Sequence, residues 1–214
     1  VIPRLPVEAV SSGGGRREVP LLIGATTDEM RTFRRYAISS HIETAADSQA
    51  ALHESLGLLE IDPAVLETFS RNRPKATAQD LYCAVATEHA FRVPAHALAE
   101  AHAARGGAAW LYEFAWCFPV GDLGASHSGE APFLFETYAA WQPSIGDSPP
   151  AGLAETLQRD WTSFAATGDP GWTSVDTARP NSVKLFDGET NPILPALRQD
   201  ELEVVRTPVP YRAG

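Results

Sequence analysis

Val19-Pro20-Leu21-Leu22-Ile23-Gly24-Ala25-Thr26-Thr27-Asp28-Glu29 joins an unbroken apolar run to a cluster of hydroxyl and acidic residues. A short apolar run bounded by loop signals suits a strand buried on both faces, as in a parallel sheet whose crossover helices cover both sides. The strand is expected to stop at Gly24. Thr26, Thr27 and Asp28 then offer side-chain oxygens to the first free N–H groups of a helix beginning near Glu29. Glu29 would therefore stand at the carboxyl end of a buried strand, the edge of an open α/β sheet where chemistry gathers.

Upstream, residues 1–6 are punctuated by proline and read as extended, and Ser11-Ser12-Gly13-Gly14-Gly15 reads as a flexible surface linker. Downstream, a mainly helical segment covers about 30–105. Leu52, Leu56 and Leu59 form one apolar stripe, Pro63 opens a further helix through Val65, Leu66 and Phe69, and Thr77 begins another through Leu81, Val85 and Phe91. Pro94 breaks or kinks that helix, and Gly106-Gly107 closes its continuation. Residues 108–116, rich in aromatics, read as a second buried strand. A loop with turn residues spans 117–127, an amphipathic helix (Leu157, Trp161, Phe164) spans 153–167, and a short third strand spans 182–186. Strand, several helices, strand, helix, strand is an α/β order. Three strands make a thin sheet, and the free edge of the first would be a pairing template, so a neighbouring strand is expected from outside the chain.

The 214 residues are 44% apolar and 21% charged, which suits a soluble globular protein and not a disordered one. A net charge of −10 repels phosphate backbones and argues against a nucleic-acid partner. No apolar run approaches the ~20 residues of a membrane helix, and Val1-Ile2-Pro3-Arg4 does not read as a signal peptide. Fifteen Arg against two Lys, with abundant Ala, reads as the codon bias of a GC-rich bacterial genome. The compartment is left open between cytoplasm and secretion. Cys83 and Cys117 are expected as buried free thiols, one bridge remaining open in an oxidising compartment. His89, His96 and His102, like His41 and His53, are expected on solvated faces, without the spacing of a zinc site. The five tryptophans have no basic residues interleaved and read as packing. Nothing calls for a metal, a phosphate loop or a cofactor.

Two sites lie just beyond the two buried strands: Glu29 and His127. A carboxylate that holds a histidine tautomer, leaving the other ring nitrogen to take a proton from a serine, is the acid–base half of a hydrolase triad. By spacing alone, Glu29 reads more readily as a first-turn dipole partner and His127 as a surface residue.

The flanking residues say more. Residues 19–33 closely resemble the segment of type-B carboxylesterases and cholinesterases that carries the triad acid. Gly124-Ala125-Ser126-His127-Ser128-Gly129-Glu130-Ala131-Pro132-Phe133-Leu134-Phe135 resembles the same family's histidine segment. Phe91-Arg92-Val93-Pro94-Ala95 is similar to a helix between them, and Trp161-Thr162-Ser163-Phe164-Ala165-Ala166-Thr167-Gly168-Asp169-Pro170 to a motif beyond them. The resemblance implies the C-terminal part of a single α/β-hydrolase domain over 1–214, its sheet incomplete without the N-terminal half. It implies Glu29 as triad acid, His127 as triad base, Phe33 and Tyr36 as aromatic residues lining the substrate gorge, and Glu130 in a supporting hydrogen-bond network. Met30 replaces the family's glycine after the acid, Ala131 an aliphatic residue after Glu130, and Ser126 precedes the histidine.

The family's nucleophile sits in a Gly-x-Ser-x-Gly elbow, and these residues contain none; Gly124-Ala125-Ser126-His127-Ser128 ends in serine and lies in the histidine loop. The implied activity is hydrolysis of a small carboxylic ester through a serine acyl-enzyme. The serine would come from an N-terminal half on the same or a separate chain, so this chain alone is expected to be inactive. The alternative is a non-catalytic esterase-like module used for adhesion or protein interaction.

Overall fold

A computed structural model describes residues 4–33, 38–176, 178–179 and 182–206. Strand β1 (Leu21–Thr26) pairs in parallel with β2 (Ala109–Phe114), Leu21 opposite Ala109 and Thr26 opposite Phe114. β2 pairs in parallel with β3 (Val183–Phe186), and a two-residue β4 (Ile193–Leu194) adds antiparallel to β3. The order is β1-β2-β3-β4, so β1 is an edge strand among the described residues. The sheet is mostly parallel, as expected, with a fourth strand too short to show as a hydrophobic run.

β1 is covered on both faces, which is why its sequence is continuously apolar. Leu21 and Ile23 pack with Ala99, Leu111 and Val183, while Leu22 packs with Trp110, Phe186 and Leu157 on the other face. The strand does not stop at Gly24 but runs two residues further, and Gly24 is where it meets β2 most tightly. A Cβ there would stand 2.1 Å from the Tyr112 carbonyl oxygen. Beyond Thr26 a helix begins at Glu29 as expected, and it is of the 3-10 kind over Glu29–Phe33.

Helices α2 (Ile38–Thr44), α3 (Ser48–Leu58), α4 (Val65–Asn72) and α5 (Ala78–Thr87) enclose a core of their own, centred on Leu52, Leu56, Phe69 and Val85. Thr77 caps α5 as its sequence suggests: its hydroxyl accepts from the Asp80 N–H and the Asp80 carboxylate accepts from the Thr77 N–H. α5 runs into a π turn (Glu88–Arg92) and then α6 (Val93–Ala104), where the Val93 N–H donates to the Glu88 carbonyl. Pro94 has no N–H to give and its ring crowds the preceding turn; the wider π turn absorbs both without ending the helix.

α6 lies against β1, β2 and the short helix α1 (Pro6–Ser11), a helix the sequence pattern had not announced. This packing buries His96 and His102, correcting the expectation of solvated faces; the His102 ring occupies the space beside Gly107. His89 is half-buried, and burial holds its pKa below the usual value. On the opposite face lies α9 (Ala151–Thr167), closing on Gly168, with the short helices α7 (Ala131–Leu134) and α8 (Tyr138–Ile145) beside it. α10 (Gln199–Val205) returns to pack on α4. Cys83 is buried as expected, whereas Cys117 is exposed, because it sits just past the end of β2. No helix among the described residues is long and apolar enough to cross a membrane.

Candidate active site

The parallel register of β1 and β2 brings their carboxyl ends side by side, and the loops leaving those ends meet. From the β1 side, Glu29 folds back over the strand end and takes the Thr26 N–H on Oε1 at 2.7 Å. From the β2 side, His127 presents Nδ1 to Glu29 Oε2 at 2.5 Å. Glu29 is only 4% exposed, a position that a carboxylate tolerates when its oxygens are matched by donors. An ionised carboxylate only accepts, so the ring proton belongs on Nδ1 and the lone pair on Nε2. No described residue bonds Nε2, and the imidazole side chain is 41% exposed.

Two phenyl rings flank the imidazole. Phe33 is centred 5.4 Å from it and Phe91 5.6 Å, both tilted. Phe33 was expected at the site; Tyr36 lies outside the described residues. Phe91 is a further residue of the site. It belongs to a segment whose likeness to a family helix was legible, but only the π turn before Pro94 shows its side to be the imidazole-facing one.

Glu130 lies near the pair without bonding it. Its Oε1 accepts from the Tyr112 hydroxyl at 3.4 Å. Burial pushes the Glu130 carboxyl above the usual carboxylate range, and the charge of Glu29 adds to the shift. The Tyr112 hydroxyl is pushed up as well, first by burial and then by Glu130.

Behind the site sits a buried network of charges that no sequence motif announces. Glu113 of β2 accepts from the Thr27 hydroxyl at 2.6 Å, two residues before Glu29, and takes Arg198 on both oxygens at 2.7 and 2.9 Å. Arg92, 2% exposed, bonds Glu88 at 2.9 Å and stands 3.2 Å from Glu113 through an Nε–H not aimed at the oxygen. Arg92 also donates to the Leu197 carbonyl. The network thus ties the π turn carrying Phe91 to β2 and to the start of α10. No group of three or more His, Cys, Asp or Glu side chains suited to a metal ion occurs among the described residues.

Residues 1–200 match the model of the carboxylesterase family. The chain belongs to that family. It is 28% identical over 180 residues to the para-nitrobenzyl esterase of Bacillus subtilis (strain 168), covering 82% of this chain and 34% of that protein. A fumonisin B1 esterase of Sphingopyxis macrogoltabida is also 28% identical over 180 residues, covering 79% of this chain and 32% of that protein. Among solved structures, carboxylesterase EST55 of Geobacillus stearothermophilus superposes with a TM-score of 0.78 at 24% identity, over 96% of this chain and 44% of that one. A PNB esterase superposes with a TM-score of 0.73 at 22% identity, over 97% and 42%. The fold is that of an α/β-hydrolase, with an incomplete sheet. The chain spans about a third of the length of the curated relatives it matches.

Proposed function

We propose that the complete protein containing these residues hydrolyses small carboxylic esters through a serine acyl-enzyme, with His127 as general base and then general acid and Glu29 as the group that holds it. The observation that carries this reading is the 2.5 Å contact between Glu29 Oε2 and His127 Nδ1, which leaves Nε2 as the basic nitrogen. In the first step Nε2 takes the proton of a serine hydroxyl as its oxygen attacks the ester carbonyl, and Glu29 balances the imidazolium that forms. The imidazolium then protonates the departing alcohol oxygen, leaving the acyl group on serine. Water repeats the sequence, with His127 accepting its proton, and the carboxylic acid and free serine are released.

The serine and the donors that hold the tetrahedral oxyanion belong, in this reading, to an N-terminal half on the same or a separate chain. Residues 1–214 form the C-terminal part of one hydrolase domain. Among the described residues β1 is a half-buried, apolar edge strand, which supports this, since such an edge is a template for another strand. Phe33 and Phe91 form an apolar wall on the imidazole, where the ester's carbon groups would pass. The names of both curated relatives, esterases in each case, agree with this substrate class.

Hydrolysis of p-nitrophenyl acetate tests the reading. The complete protein is expected to turn over the ester with a titratable burst, and the 214-residue chain alone to stay at background. A burst from the pure chain would contradict the placement of the serine. A complete protein without esterase activity would favour a non-catalytic module.

A further inference from the structure

Three side chains of the Glu29 turn bind the loop that carries His127, not the imidazole. The Asp28 N–H donates to the Ala125 carbonyl at 2.9 Å, and the Ala125 N–H donates back to Asp28 Oδ2 at 3.0 Å. Asp28 and Ser126 form a parallel bridge, so the β1–β2 pairing is renewed just before Glu29 and His127. The other carboxylate oxygen, Oδ1, accepts from Arg31 Nε at 3.1 Å. The same guanidinium reaches Asp122 Oδ1 at 3.2 Å within the His127 loop and Asp80 Oδ1 at 3.3 Å in the first turn of α5. Thr32 Oγ1 accepts from the His127 backbone N–H at 3.1 Å.

Gly124 marks the closest approach. It has a φ of +60°, and a Cβ there would stand 2.2 Å from Asp28 Oδ2. Glycine alone lets the loop close onto the carboxylate without strain. Exposed ion pairs contribute little to stability, but here the bonds end on backbone two residues from His127. Displacing a reacting group by about 1 Å can cost on the order of 100-fold in rate. The clamp therefore matters more for where Nε2 stands than for whether the chain folds.

We propose that Asp28, oriented by Arg31, is a positioning residue that fixes the depth of the His127 loop and hence the reach of Nε2 toward the nucleophile; this rests on the reading of His127 as general base. An aspartate suits the place because two donors, Arg31 Nε–H and Ala125 N–H, approach its two oxygens. Asparagine offers one oxygen and turns an NH2 group toward a donor, so one anchor is lost. The Glu29–His127 contact and the phenyl wall are left in place, and the effect falls on kcat instead of KM.

The test is p-nitrophenyl acetate hydrolysis by the complete protein, with active serines titrated, comparing the wild type with His127→Ala, Asp28→Asn, Arg31→Gln and the double variant of the last two. Asp28→Asn is expected to lower kcat about 10- to 100-fold with KM within about threefold. Arg31→Gln should lower kcat about three- to tenfold, and adding it to Asp28→Asn should cost no more than about twofold further, because the two act through one anchor. Should Asp28→Asn fail to fold, the same split between kcat and KM is read from Arg31→Gln. With an active wild type and a dead His127→Ala, an unchanged kcat in these variants, or a loss confined to KM, overturns the proposal alone. An inactive wild type overturns the reading beneath it as well.

Discussion

His127 Nδ1 lies 2.5 Å from Glu29 Oε2, although 98 positions separate the two residues. The parallel pairing of β1 and β2 accounts for this: with Thr26 opposite Phe114, both loops leave the same edge of the sheet and converge.

If that contact orients the general base, removing either partner is costly. His127→Ala is expected to lower kcat by ~10^4-fold or more and Glu29→Gln by a comparable order, because the wrong ring tautomer is then as available as the right one. Steady-state kinetics on the complete protein, normalised to titrated serine, checks this. Activity within a few-fold of wild type in either variant would remove the assignment.

Phe91 should matter through its ring. Phe91→Leu keeps most of the apolar volume but loses the ring contact with His127 at 5.6 Å. Contacts of this kind contribute about 0.5–1.5 kcal/mol, so kcat/KM should fall about two- to tenfold. Equal kcat/KM for Phe91→Leu and wild type would mean the ring only lines the surface.

How much of this was legible in the sequence depends on the range of the forces involved. β1, β2, β3 and α9 each bury a continuous apolar run or stripe, and such patterns are local. Glu29 and His127 stood out as loop residues beyond such runs, and became triad candidates only through the resemblance of their flanking motifs. Phe33, one turn beyond Glu29, was found by resemblance. Phe91 and Asp28 were missed as functional positions because their partners lie 36 and 97 residues away. β4, with two residues, buries too little to leave a pattern, and α7 and α8 are short helices, α7 held by packing against α9 and α8 by packing against α7. His96 and His102 were misjudged because a polar-looking helix, α6, is wedged between the sheet and α1. Cys117 was misjudged in the other direction, since thiols are commonly buried and this one lies past a strand end.

The buried charges predict a stability effect distinct from catalysis. Arg92→Met leaves Glu88 and Glu113 without the guanidinium between them. Breaking a buried pair on one side costs about 3–5 kcal/mol, which should appear as a clear drop in the urea midpoint of the complete protein. Arg17→Ala, breaking an exposed pair with Glu18, should leave the midpoint where it was. Similar midpoints for both variants would show that the network is not under the strain of desolvation.

Glu130 predicts a pH dependence. Its folded-state pKa is raised, chiefly by burial. The stability that its neutral form contributes is therefore fully present below the ordinary carboxylate pKa and is lost as pH rises through the raised folded value. Glu130→Gln cannot ionise and escapes that loss. The variant should gain stability relative to wild type as pH rises from 4 toward 8, followed by urea denaturation at each pH. A difference between the two that stays flat across this range, or falls, would contradict the assignment of Glu130 as a carboxyl whose ionisation burial opposes.

The central claim is that these residues supply the acid and base of a serine esterase whose nucleophile lies outside them. Treating the complete protein with an organophosphate and locating the modified residue by mass spectrometry tests it most directly. The account predicts one labelled serine, within a Gly-x-Ser-x-Gly sequence outside the 214 residues, and loss of labelling in His127→Ala. A label on a serine within these residues, or none in an active wild type, would contradict it.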